Sequence, residues 1–125
     1  MGIQITGVHH LMITVGNLES AKHFYGSIMG FEEKQIPPVV IGERVWYHLG
    51  PIELHINVHP KYKAGLSHFA ISVEPGKYDK YVERIKDTGY EKMSKPEVYD
   101  DGLYRVYIHD PFGNCIEIIN AQMGD

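Results

Sequence analysis

Hydrophobic and polar positions along this chain follow one programme and then repeat it. Residues Val8 to Val15 form a run rich in β-branched and apolar side chains, which predicts a strand, and Gly16-Asn-Leu-Glu-Ser20 then reads as a turn into a helix with Asn17 at the N-cap. From Glu19 to Met29 the apolar residues Ala21, Phe24, Tyr25 and Ile28 recur at helical spacing, so one amphipathic helix is predicted, closed by Gly30. Three short strands follow, Phe31 to Ile36, Glu43 to Leu49 and Ile52 to Val58, the last two joined by a tight turn at Gly50-Pro51. The second half predicts a strand over Leu66 to Val73, a helix from about Lys77 to Thr88 with apolar Tyr78, Tyr81, Val82 and Ile85, and then Gly89. A weakly defined strand near Tyr90 to Met93 and two clearer ones, Leu103 to His109 and Cys115 to Asn120, complete it. Each half reads β-α-β-β-β.

The repetition extends to individual residues. His10-Leu-Met-Ile-Thr-Val15 answers His68-Phe-Ala-Ile-Ser-Val73, Met29-Gly-Phe-Glu32 answers Thr88-Gly-Tyr-Glu91, and Ile52-Glu53-Leu54 answers Ile116-Glu117-Ile118. Each copy therefore carries a His near its start and a Glu near its end. Two imidazoles and two carboxylates form a mixture that hard-to-borderline divalent ions take. Alternation along strands places Glu117 with Ile119 opposite Ile116 and Ile118, and Glu53 with His55 opposite Leu54 and Ile56. Arg105 and Tyr107 share one face of the preceding strand; parity leaves open which face is concave. Taken singly, Glu53 and Glu117 read as solvated strand residues, and His23, His48, His59 and His109 as surface or hydrogen-bonded histidines. The recurrence of one His and one Glu in both copies is what lifts those four above that background.

Composition narrows the class. A chain of 125 residues, 43% hydrophobic, has apolar material for one domain over 1–125, with module 1 at about 5–60 and module 2 at about 64–121. The formal net charge of -4 and the scattered Lys and Arg exclude a nucleic-acid footprint. No apolar run approaches a signal or membrane-spanning length, and one cysteine, Cys115, excludes an intrachain disulfide, so a soluble cytoplasmic protein is expected. Cys115 has no activating base nearby in sequence and reads as a packing residue.

His10-Leu-Met-Ile-Thr-Val15, Phe24-Tyr25 with Met29-Gly-Phe31, Ser67-His68-Phe-Ala-Ile71 and Asp110-Pro-Phe-Gly-Asn-Cys-Ile-Glu117 together resemble the vicinal oxygen chelate superfamily, the glyoxalase, bleomycin-resistance and extradiol-dioxygenase group. The resemblance covers essentially the whole chain. It implies an α+β fold of two tandem βαβββ modules forming a curved mixed sheet around a cavity, with one divalent ion (nickel, zinc, manganese, cobalt or iron) on its wall. Carried over, it places metal ligands at His10, His68 and Glu117, with His9 pointing away. For the fourth position Glu53 is preferred, as the match to the glyoxalase Ile-Glu-Leu strand and the internal counterpart of Glu117, with His55 as its competitor. Arg105 is expected to bind an anionic substrate group and Tyr107 to donate a hydrogen bond.

The implied chemistry is chelation of a small oxygenated substrate, stabilisation of an enediolate or alkoxide, and proton transfer by Glu53 or Glu117, with a lactoylglutathione lyase-type isomerisation as its most concrete form. A homodimer is implied as well. The short Pro60 to Leu66 connection departs from the bacterial glyoxalase pattern, only Ala121 to Asp125 follow the last strand where fosfomycin-resistance enzymes run longer, and extradiol dioxygenases usually have four modules. The alternative is a metal-free, drug-sequestering protein of the bleomycin-resistance type, against which the full His and Glu set counts.

Overall fold

The computed structural model describes residues 2–40 and 42–123. Strand β1 (His10–Val15) leads through Asn17, whose side-chain oxygen accepts the Ser20 amide at 2.9 Å, into helix α1 (Leu18–Lys22). That helix does not finish as predicted. Over His23–Ile28 it widens to a π-helix, with the Met29 amide bonding back five residues to the Phe24 carbonyl at 2.8 Å. The wider turn carries Phe24, Tyr25 and Ile28 into the core and passes Gly26 over the Tyr47 hydroxyl. Gly30 ends the helix at φ +75, a conformation that favours glycine, and a Cβ there would displace the end of the Arg84 side chain.

Three strands complete the first module: β2 (Glu33–Lys34), β3 (Arg44–Leu49) and β4 (Ile52–Val58). β2 is shorter than the predicted Phe31 to Ile36, because Pro37 and Pro38 turn the chain away. The second module repeats the order with β5 (His68–Ser72), α2 (Tyr78–Asp87, entered by a single 3-10 turn at Pro75–Lys77), β6 (Glu97–Val98), β7 (Tyr104–His109) and β8 (Cys115–Ile119). The strand expected at Tyr90 to Met93 is absent. Met93 makes one isolated bridge to Ile108, and the ladder resumes only at Glu97, opposite Arg105. Between them lie Ser94, whose hydroxyl takes the Tyr107 amide, and Pro96, which has no amide to give.

The strands form two four-stranded sheets, ordered β1-β4-β3-β2 and β5-β8-β7-β6, with β1 parallel to β4 and β5 parallel to β8. This is the tandem βαβββ arrangement. Alternation holds: Leu54, Ile56, Ile116 and Ile118 are fully buried, and with Val45, Tyr47, Val106 and Ile108 they face the apolar sides of both helices in one continuous core. Each such side chain contributes about 2 kcal/mol of burial. The modules also share polar bonds. The Tyr81 hydroxyl donates to the Met29 carbonyl at 2.6 Å, and Asp110, completely buried, accepts from the Tyr25 hydroxyl at 2.7 Å.

Asp110 explains the Asp110-Pro-Phe-Gly-Asn114 motif. Its carboxylate also accepts the amides of Phe112 and Asn114 and the Asn114 side-chain amide, at 2.8, 2.9 and 2.8 Å. Asn114 in turn donates to the Thr14 carbonyl at 2.8 Å and accepts from the Tyr62 hydroxyl at 2.7 Å. The Tyr25 phenol beside this carboxylate is pushed far up, by burial first and by Asp110 second.

Candidate metal-binding half-sites

The polar faces of the two sheets carry every residue singled out in the sequence, in two separate groups. In the first module His10 and Glu53 are ladder partners, as are Met12 and His55. His55 lies flat between two rings: Trp46, its partner across β3, at 3.7 Å between centroids and 1° between planes, and His10 at 4.1 Å and 16°. Its Nε2 is 2.9 Å from Glu53 Oε1, and Glu53 Oε2 is 3.5 Å from Lys34 Nζ. The His55 hydrogen bond first, then the Lys34 charge, hold the Glu53 carboxyl below its ordinary range. His9 does not simply turn away: its Nδ1 lies 2.9 Å from His10 Nδ1.

In the second module His68 and Cys115 are ladder partners, as are Ala70 and Glu117. His68 Nε2 is 3.2 Å from Glu117 Oε1, and Glu117, only 8% exposed, gives its other oxygen to Arg105 Nε at 3.2 Å. Tyr107, directly across from Glu117, meets the His68 ring edge-on at 5.9 Å and shares a 3.3 Å hydroxyl contact with Tyr99. Arg105 also donates from Nη2 and Nη1 to Asp101 at 2.8 and 3.1 Å, and the Tyr99 ring covers the guanidinium at 4.3 Å. Its charge therefore faces two carboxylates of its own chain. Cys115 is pushed up by burial first and by Glu117 second, away from thiolate chemistry. A cleft of about 370 Å³ separates Leu11 to Thr14 of β1 from Ser67, His68 and Cys115.

The ladders correct one alignment. The triplet match had paired Glu53 with Glu117, but measured from the two leading histidines, the position of Glu117 is that of His55. The facing strands agree, Trp46 standing across from His55 where Tyr107 stands across from Glu117. Leu54-His55-Ile56 is thus the counterpart of Ile116-Glu117-Ile118, and the equivalent pairs are His10 with His55 and His68 with Glu117. The sequence reading missed Trp46, Lys34, Tyr99 and Asp101. Trp46 was within reach, two residues before His48 on a predicted strand.

The donor chemistry of each half fits a divalent ion: imidazoles on one side, an imidazole and a carboxylate on the other. Among the described residues no group of three or more His, Cys, Asp or Glu side chains closes on one point.

Two βαβββ modules with a His-based pair on each polar face define a class of fold and site. The chain belongs to the Glyoxalase/Bleomycin resistance protein/Dioxygenase superfamily, whose sequence profile matches residues 7–118. A Bacillus anthracis protein assigned to the glyoxalase family superposes with a TM-score of 0.83 at 31% identity, over 95% of this chain and 98% of that one. Two others share the fold: lactoylglutathione lyase from Agrobacterium tumefaciens (TM-score 0.74, 21% identity, 92% and 93% covered) and the fosfomycin resistance protein FosX from Listeria monocytogenes (0.77, 20%, 96% and 97%). Among the described residues no helix is long and apolar enough to cross a membrane.

Proposed function

We propose that this protein is a divalent-metal-dependent enzyme of the glyoxalase type that isomerises a small oxygenated substrate. The observation that carries the reading is the equivalence of His10–His55 and His68–Glu117 at matching ladder positions. His10, His55, His68 and Glu117 would hold the ion, with module 1 of one copy facing module 2 of a second in a homodimer. Both β1 and β5 are edge strands, so neither has a strand paired on its outer side within its own sheet.

A divalent ion there supplies Lewis-acid polarisation of two substrate oxygens. This chain's residues do the rest. Glu53, not needed as a ligand, both orients His55 and offers the carboxylate that takes a proton from substrate carbon and returns it to the neighbouring one. Tyr107 lies beside His68 to donate to a substrate oxygen. Trp46 and His55 form an apolar-faced wall that excludes water from one side. The hemithioacetal of a thiol and a 2-oxoaldehyde is the substrate class this chemistry serves.

The test is cobalt(II) titration of the purified full chain followed by visible absorption, with elemental analysis, beside a His68→Ala variant. About one ion per chain, lost in the variant, together with turnover of a 2-oxoaldehyde hemithioacetal, is the expected result. No uptake of cobalt, nickel, zinc or manganese would end the metal reading and leave a ligand-sequestering protein in its place.

A further inference from the structure

We infer that Arg105 is a positioning residue that reserves one oxygen of Glu117 for the metal ion, and that Asp101 and Tyr99 at the β6–β7 turn hold Arg105 in that role. The inference rests on the proposed metal-dependent function.

The two oxygens of Glu117 have different neighbours. Oε1 lies 3.2 Å from His68 Nε2, while Oε2 takes the Arg105 Nε hydrogen bond, also at 3.2 Å. Arg105 stands across from Ile119 rather than from Glu117, so its guanidinium reaches two residues along β8 to make that bond. Its far edge is locked by the paired bonds to Asp101, a fork geometry that only arginine forms. The plane of the fork is covered by the Tyr99 ring.

Asp101 is fixed in its turn. Its Oδ1 also accepts the Leu103 amide at 3.0 Å, and the tip closes through Gly102, at φ +78, donating to the Tyr99 carbonyl at 2.8 Å. A chain of fixed contacts therefore runs from the tip through Asp101 and Arg105 to Glu117. With Oε2 held, the carboxylate presents Oε1 alone beside His68, as a single-oxygen ligand. A carboxylate free to swing could offer both oxygens and alter the coordination number. The same contacts tie three of the five Arg105 N–H donors to Asp101 and Glu117.

The experiment compares cobalt(II) binding to the full-length wild type, Arg105→Gln, Arg105→Lys and Asp101→Asn, reading affinity by chelator competition and coordination by visible absorption. Arg105→Gln is expected to weaken cobalt binding by about 10- to 100-fold, the usual range for loss of an outer partner, and to shift the absorption bands. Asp101→Asn should weaken it less, and Arg105→Lys, which keeps charge but not the fork, should fall between wild type and Arg105→Gln. Circular dichroism melts check folding; if Arg105→Gln does not fold, Asp101→Asn at the exposed tip decides alone. Wild-type affinity and spectrum in the folded variants, with His68→Ala still losing cobalt, would overturn the positioning role and leave the metal reading standing. No cobalt binding by wild type would overturn both.

Discussion

The two half-sites are built on the same ladder position and solve the same problem with opposite chemistry. In the first module the residue at that position is a base, His55, and its outer partner is a carboxylate, Glu53. In the second it is a carboxylate, Glu117, and its outer partner is a guanidinium, Arg105. Each of these side chains is held by a hydrogen-bonding partner on the same polar face, Glu53 for His55 and Arg105 for Glu117, which fixes the ring or carboxylate plane. Their surroundings differ as well. His55 is clamped by stacking between Trp46 and His10, whereas Glu117 is clamped by directional hydrogen bonds. The two modules share the position and the need for a partner but differ in chemical identity.

The sharpest way to separate the modules is at the ends of their last hairpins. Module 1 turns at Gly50-Pro51, while module 2 turns through the Asp110 corner. Asp110→Ala strands the Tyr25 hydroxyl and several amides without an acceptor and is expected to cost about 3 kcal/mol, read by urea denaturation. Pro51→Ala at the equivalent end, with an exposed Pro51, should cost about 1 kcal/mol or less. Equal losses would dissolve the distinction.

Next in size is the contest between His55 and Glu53. His55→Ala should weaken cobalt binding by about 100-fold and Glu53→Gln by about tenfold, since one removes a ligand and the other its outer partner. The reverse order would return Glu53 to the coordination shell. The smallest effect is on pH. Hydrogen bonding to Arg105 lowers the Asp101 pKa from 3.8 to about 2. A depressed carboxylate contributes stability that is present above its ordinary pKa and lost as pH falls through the folded value. Asp101→Asn should therefore differ most from wild type above pH 4 and converge with it towards pH 2, measured by denaturation at stepped pH.

Much of this was legible from the pattern of residues. Hydrophobic spacing located both helices and the clear strands, Gly30 marked a helix end, and parity put Glu53, His55 and Glu117 on faces opposite the core. What failed did so for a physical reason. Matching Ile-Glu-Leu to Ile-Glu-Ile compares neighbours along the chain, but equivalence in a sheet is set by what lies across it, and that depends on loop length and register. The π-helical turn was invisible because it preserves an apolar face while changing the bonding step. The Asp101 partner of Arg105 went unseen because Asp101 lies in a turn whose place is set only once β6 and β7 pair.

The Asp110 corner has a further consequence, in the order of events during folding. Its bonds join positions 85 and 100 residues apart, Tyr25 with Asp110 and Thr14 with Asn114. Contacts of that span require most of the chain to be in place before they reward closure. The corner acts as a late clasp, so the stability lost in Asp110→Ala should appear mainly as faster unfolding, with refolding nearly unchanged.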